Sequence, residues 1–300
     1  MRIKSSFAAP FLLIVVLTLL AVSGTIDPAK VGMDENPYLV SVIIQLIVYA
    51  LPTIFFCRMR GDKYASRLRL RLFRANHLFF MLLSVIAMIS GSALINLMLY
   101  TAFPERNAGM SAALSLGGTE LLFAVIAFAI LPALTEEFLF RGVILTEYES
   151  VSVPFAVILS SALFAMMHLN FSQLPVYFYC GIMLAIVLYT TRSLFAPMIV
   201  HLLNNIATLL LDRFVYNVAE NTEERGVLLS FILLCVLFVS LVLLFMEAQR
   251  IYTGYGITGV PSPHVRVRKK NEPLGAIDAL VTPPFVAFVI LFIVISLVKK

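Results

Sequence analysis

Five ionisable side chains interrupt the apolar stretches between residues 120 and 211: Glu136, Glu137, Arg141, His168 and His201. Asn170, Gln173, Asn204 and Asn205 accompany them. Charge inside a membrane costs several kcal/mol on most scales, so such groups are functional candidates by default. Pro132 and Thr135 suggest a kink or a fresh helix start just before the first cluster. On the helix that follows, Glu137 and Arg141 share a face and can pair, holding Glu137 ionised. Glu136 projects about 100° away and is free for another partner such as water. One clamped carboxylate beside one available carboxylate suits a general base with a supporting acid. On a solvated helix the same spacing would be only a surface ion pair. The apolar surroundings favour chemistry.

His168 closes the run Phe164-Ala165-Met166-Met167-His168, where a lone histidine is more often an interface residue than a ligand. His201 and Asn205 lie one helical turn apart and can direct two hydrogen bonds at one point, as an oxyanion requires. Metal binding is the rival use, with Glu136, His168 and His201 as a His₂Glu zinc set. No HExxH is present, so a zincin helix is excluded.

These residues need a scaffold, and composition names its class. Apolar types make up 61% of the 300 residues, charged types 13%, and the mean hydropathy is +0.97. Soluble chains are closer to half apolar and a quarter charged. A disordered chain, a coiled coil and an ordinary cytosolic enzyme are excluded. A pI near 9.2 does not rescue a soluble nucleic-acid binder. The apolar runs are uninterrupted rather than alternating, which selects helices over a membrane barrel. The expectation is an all-α polytopic membrane protein with about eight or nine spans. They are read at 7–23, 38–57, 77–103, 120–134, 153–169, 174–191, 195–211, 227–247 and 277–298. The segments 120–134, 153–169 and 195–211 are short, which suggests tilted or re-entrant elements lining a cavity.

Basic residues crowd 58–76 and 248–276, while 212–226 is acidic. The positive-inside bias puts the two basic loops and the N-terminus in the cytoplasm, and 24–37 and 212–226 outside. Nine spans would then leave Lys299 and Lys300 outside, against the same bias. Arg2, Lys4 and the small residues Ala21-Val22-Ser23-Gly24 also fit a secretory signal, an alternative for the first run. The arginines of 58–76 alternate with Leu68, Leu70 and Leu72, which fits a segment resting on anionic headgroups better than a nucleic-acid patch. Cys57, Cys180 and Cys235 have no disulfide or metal spacing and read as packing residues. No internal repeat and no low-complexity stretch is visible.

The three clusters together are more specific than any one. Glu136-Glu137-x-x-x-Arg141, then Phe164-x-x-x-His168, then His201-x-x-x-Asn205 resembles the CPBP (Abi) family. That family contains CAAX-processing and bacteriocin-processing membrane peptidases, with the Ras-converting CAAX endopeptidases as eukaryotic relatives. The resemblance covers about 120–211, and it divides the chain into N-terminal helices (1–119), a CPBP-type catalytic core (120–211) and C-terminal helices (212–300). It implies an intramembrane endopeptidase in which Glu136 activates a water and Glu137 and Arg141 support it. By the same resemblance His168 helps to hold the water, and His201 and Asn205 stabilise the oxyanion. Asn204 falls outside the pattern and reads as a residue supporting the site's side chains or as packing.

The family name implies a metalloprotease, but two histidines and two glutamates serve either a divalent metal such as zinc or a metal-free mechanism. Asn205, a poor zinc ligand, tips the reading toward the metal-free account. The implied partners are a hydrophobic or lipidated peptide, a prenylated CAAX-type substrate or a bacteriocin or peptide signal, together with membrane lipid. Nucleic acid is not among them. The implied place is a prokaryotic cell membrane with the site open toward the cytosol. Two other classes stay open: a non-catalytic peptide-binding immunity or scaffold protein, and a proton-coupled transporter, since Glu, His and Arg also build proton relays.

Overall fold

The computed structural model describes residues 5–25, 37–102, 119–221, 223–259 and 275–298. Among these residues every regular element is helical. The reason is solvent: with no water in a bilayer core, an apolar run must satisfy its backbone internally. The helices are α1 (Ser5–Ser23), α2 (Tyr38–Arg60), α3 (Leu78–Ala102), α4 (Glu120–Tyr148) and α5 (Val153–Met167). They continue with α6 (Leu174–Thr191), α7 (Phe195–Asn221), α8 (Glu223–Ile257), the short α9 (Gly275–Leu280) and α10 (Pro283–Val298). Five helical stretches are long and apolar enough to cross a membrane, and four shorter apolar ones accompany them. The chain is an integral membrane protein of polytopic helical type.

Two expectations change. The segment read as 120–134 is not short: α4 runs unbroken for 29 residues through both glutamates and Arg141. Pro132 neither starts a helix nor breaks one, because a π-helical stretch at Ile126–Ile130 precedes it. The wider turn accommodates the missing N–H and the ring's clash with the preceding carbonyls. The same device, Gln45–Ala50, precedes Pro52 in α2. The expected loop 212–226 also shrinks to a junction, since the backbone of α7 stays helical to Asn221 and α8 begins at Glu223. Most of 24–37, most of 260–276, Lys299 and Lys300 lie outside the described residues.

Two hydrophobic clusters form the interior. One gathers α1, α2, α4, α5 and α10, including Leu13, Val16, Leu139, Ile144 and Phe288. The other joins α3, α6, α7 and α8 through Phe80, Met88, Leu184, Val200 and Tyr255. Helix α6 contributes to both, so the chemistry-bearing helices α4, α5 and α7 meet along their seam. Leu13, Val16 and Leu17 of α1 are fully buried, and the helix packs along α10. That is the packing of a core element.

The arginines of 58–76 have protein partners that the sequence did not suggest. Arg60 pairs with Glu147, and Arg67 lies 3.5 Å from the same carboxylate while donating to the Thr146 carbonyl at 2.7 Å. Arg69 donates to Glu149 at 2.6 Å, which also accepts from the Tyr189 hydroxyl at 2.7 Å. Arg71 reaches the Arg192 carbonyl at 2.6 Å. The loop thus clamps the end of α4 to the end of α6. The Glu147 side chain is wholly buried. Breaking a buried pair by removing one partner costs about 3–5 kcal/mol. Glu147→Ala is therefore expected to lower the thermal midpoint of detergent-purified protein far more than the surface change Arg58→Ala, as a melting comparison of the two will show.

Candidate active site

Three residues from two helices form the buried half of the site. Arg141 donates through Nη1 to Glu137 Oε1 at 2.7 Å, one turn away on α4. Its Nη2 donates to the Gly181 carbonyl of α6 at 3.0 Å, and the guanidinium lies 4.6 Å over the Phe164 ring. His201 of α7 brings Nδ1 to 2.9 Å from the same Glu137 oxygen. The side chains of Glu137 and Arg141 have no solvent exposure. A charge in such a place persists only when paired and hydrogen-bonded. Here each fork of Arg141 has a fixed acceptor, a geometry lysine cannot reproduce.

Gly181 makes this approach possible. A Cβ there would stand 2.7 Å from Ser161 Cβ and 2.9 Å from Ser161 Cα on α5. Gly181→Ala must push α5 and α6 apart and withdraw the carbonyl that Arg141 uses. The expected cost is about 1–3 kcal/mol, typical of overpacking. Thermal melts and peptide-cleavage rates of the same preparation should both fall.

The accessible half centres on Glu136. Its Oε2 is 3.9 Å from His168 Nε2, and its Oε1 is 3.5 Å from the Gln45 amide nitrogen of α2. Thr135 donates its hydroxyl to Gln45 Oε1 at 2.6 Å. His168 caps the C-terminus of α5, where Leu169 turns into the left-handed region at φ 51° and ends the helix. Its Nδ1 lies 2.9 Å from the Phe164 carbonyl. A carbonyl only accepts, so Nδ1 carries the proton, and in the neutral ring Nε2 turns a lone pair toward Glu136. Phe164 meets the ring edge-on at 4.7 Å, and Tyr177 stacks on it at 3.7 Å. The His168 side chain is 24% exposed against 9% for Glu136, so the site opens on the His168 side.

Asn205 sits one turn beyond His201 on α7, half-buried, and Asn204 is buried with its Oδ1 unpartnered among protein groups. The structure therefore brings Glu136 toward His168, and Glu137, Arg141 and His201 together, with Asn205 following on the His201 helix. The contributions of Gln45, Tyr177 and Gly181 went unnoticed in the sequence. Gln45 had a signal, as the one amide inside the apolar run 38–57. Tyr177 and Gly181 had none.

The residues do not fit a zinc centre. Among the described residues no three His, Cys, Asp or Glu side chains converge as metal ligands.

At about 1.5 Å per residue, Glu136 lies about 18 Å along α4 from Tyr148, within a helix long and apolar enough to cross a bilayer core about 30 Å thick. Fold and site together define an integral membrane protein with a carboxylate–histidine constellation on a candidate membrane span. Residues 118–207 match the family model described as type II CAAX prenyl endopeptidase Rce1-like. Over 84 residues the chain is 34% identical to the membrane-embedded CAAX protease MroQ of Staphylococcus aureus (strain USA300). That alignment covers 26% of this chain and 34% of the relative, about a third of its length. No solved structure matches the chain. The central segment, with all three motifs, is thus similar to the type II CAAX prenyl endopeptidases.

Proposed function

We propose that this protein is an intramembrane endopeptidase that hydrolyses a hydrophobic or membrane-tethered peptide through a water activated by Glu136. The carrying observation is the 3.9 Å between Glu136 Oε2 and His168 Nε2. That is too long for a direct hydrogen bond and suited to two acceptors sharing one water. Such a water donates one hydrogen to the carboxylate and one to the imidazole, leaving a lone pair for a peptide carbonyl. Glu136 takes the proton as the C–O bond forms, then returns it to the departing amine as the C–N bond breaks. The oxyanion falls to His201 and Asn205. For Nε2 of His201 to donate, the ring must carry both protons, with Glu137 as counter-ion.

The family of the central segment supports the reaction class, and the name of the staphylococcal relative supports a CAAX-type substrate. A bacteriocin or peptide signal is the other substrate of this class. Burial of the site at membrane depth favours a substrate that partitions into the bilayer. The clustered arginines of 58–76 support a cytoplasmic N-terminus and a site reached from the cytosol.

The test is cleavage of quenched peptides, prenylated and unprenylated, by protein in lipid nanodiscs. Cleavage that favours lipidated peptides is expected, and a chelator should leave the rate within about twofold. Binding of peptide without cleavage across the panel would favour a scaffold instead. Proton-coupled uptake by proteoliposomes would favour a transporter.

A further inference from the structure

The catalytic carboxylate proposed above is held from the side by a helix outside the matched segment. Gln45 belongs to α2, ninety-one residues before Glu136, and is 9% exposed. Its π-helical stretch packs against the Leu131–Glu137 turn of α4. An amide in such a setting needs partners for both ends, since burying an unpaired one costs about 1–3 kcal/mol.

The partners fix its orientation. Thr135 Oγ1 has one proton and two acceptors in reach, Gln45 Oε1 at 2.6 Å and the Leu131 carbonyl at 2.9 Å. The shorter contact gives the amide oxygen its donor, which leaves the NH₂ end facing Glu136 at 3.5 Å. A carboxylate accepts only from that end. The distance is at the outer edge of hydrogen bonding, as catalytic contacts often are before substrate binds. Tyr49, one turn beyond Gln45, is buried and lies near enough to Glu136 to feel its charge. His168 stands at 3.9 Å, and Arg141, paired with the neighbouring Glu137, adds its positive charge. Of the Glu136 oxygens, Oε2 faces His168 while Oε1 faces Gln45.

We infer that Gln45 is a positioning residue: oriented by Thr135, it holds Glu136 Oε1 so that Oε2 points at the water shared with His168. The contacts run Thr135–Gln45–Glu136 and join α2 to the catalytic turn. Helix α2 is thereby part of the active site although it carries none of its motif residues. Small errors in such alignment are costly, because reacting atoms must lie within about 3.5 Å in a productive direction.

The experiment uses the full chain in nanodiscs with Gln45→Met, which keeps the shape and deletes both amide contacts. The kinetic arm rests on the peptidase reading. There, kcat is expected to fall about 10- to 100-fold with KM within twofold. Thr135→Val should give a similar fall, and the double variant should lose no more than the worse single one. A second arm needs no turnover. The carboxylate band of Glu136, isolated as the infrared difference between wild type and Glu136→Gln, should move in Gln45→Met and in Thr135→Val. Unchanged kcat with an unmoved band overturns the inference. So does a fall in kcat that tracks lower thermal stability, with additive effects of the two substitutions. Wild-type protein that cleaves nothing overturns the peptidase reading, and the infrared arm then decides on Gln45 alone.

Discussion

A Glu137→Ala protein is expected to lose both its activity and much of its stability. The carboxylate it removes accepts from Arg141 at 2.7 Å and from His201 at 2.9 Å on one oxygen. Without it a guanidinium with no solvent exposure is left unpaired in the interior. Breaking buried pairs in this way costs about 3–5 kcal/mol. His201 loses the acceptor that sets its ring, so the proposed oxyanion donor is misplaced as well, worth about 100-fold or more in rate. The chain has no tryptophan, so unfolding is better followed through the buried Cys180 with a thiol-reactive dye, in a background lacking Cys57 and Cys235. Replacing Glu137 and Arg141 together by Gln and Met should recover a large part of the stability and none of the activity. Recovery of activity in that double variant would contradict the role given to the pair.

Glu136→Gln separates the two effects. Among the described residues Glu136 makes no short ion pair: His168 is 3.9 Å away and the Gln45 amide 3.5 Å away. Its side chain also retains some exposure. A neutral amide of the same shape should therefore leave the melting midpoint within a few degrees of wild type. On the proposed mechanism the general base is lost entirely, and such a base contributes about 10²–10⁴-fold. Glu136→Gln thus yields a folded, peptide-binding, inactive protein, where Glu137→Ala yields an inactive and unstable one. That contrast distinguishes a reacting carboxylate from a supporting one more sharply than either variant alone.

Apolar run length revealed the helices because a bilayer leaves the backbone no other solution, and the segments at 38–57, 153–169 and 174–191 stand close to where composition put them. Pro132 misled the reading of α4. In isolation a proline predicts a break, and nothing local announces that a π-helical stretch will absorb it. The Glu137–Arg141 pair was legible because its spacing is one helical turn. The His201–Glu137 contact was not, since it links residues sixty-four apart on helices whose packing is tertiary. Gln45 and Tyr177 were hidden for the same reason. The Arg60–Glu147 and Arg69–Glu149 contacts show how a run of arginines invites a lipid reading until its carboxylates are found eighty residues downstream.

The central claim is most directly tested by mass spectrometry of a prenylated peptide incubated in nanodiscs with wild-type protein and, separately, with Glu136→Gln of matched thermal stability. The account predicts new peptide ends with the wild type, produced equally with chelator present, and intact peptide with the variant. New ends at comparable rates with both proteins would contradict it.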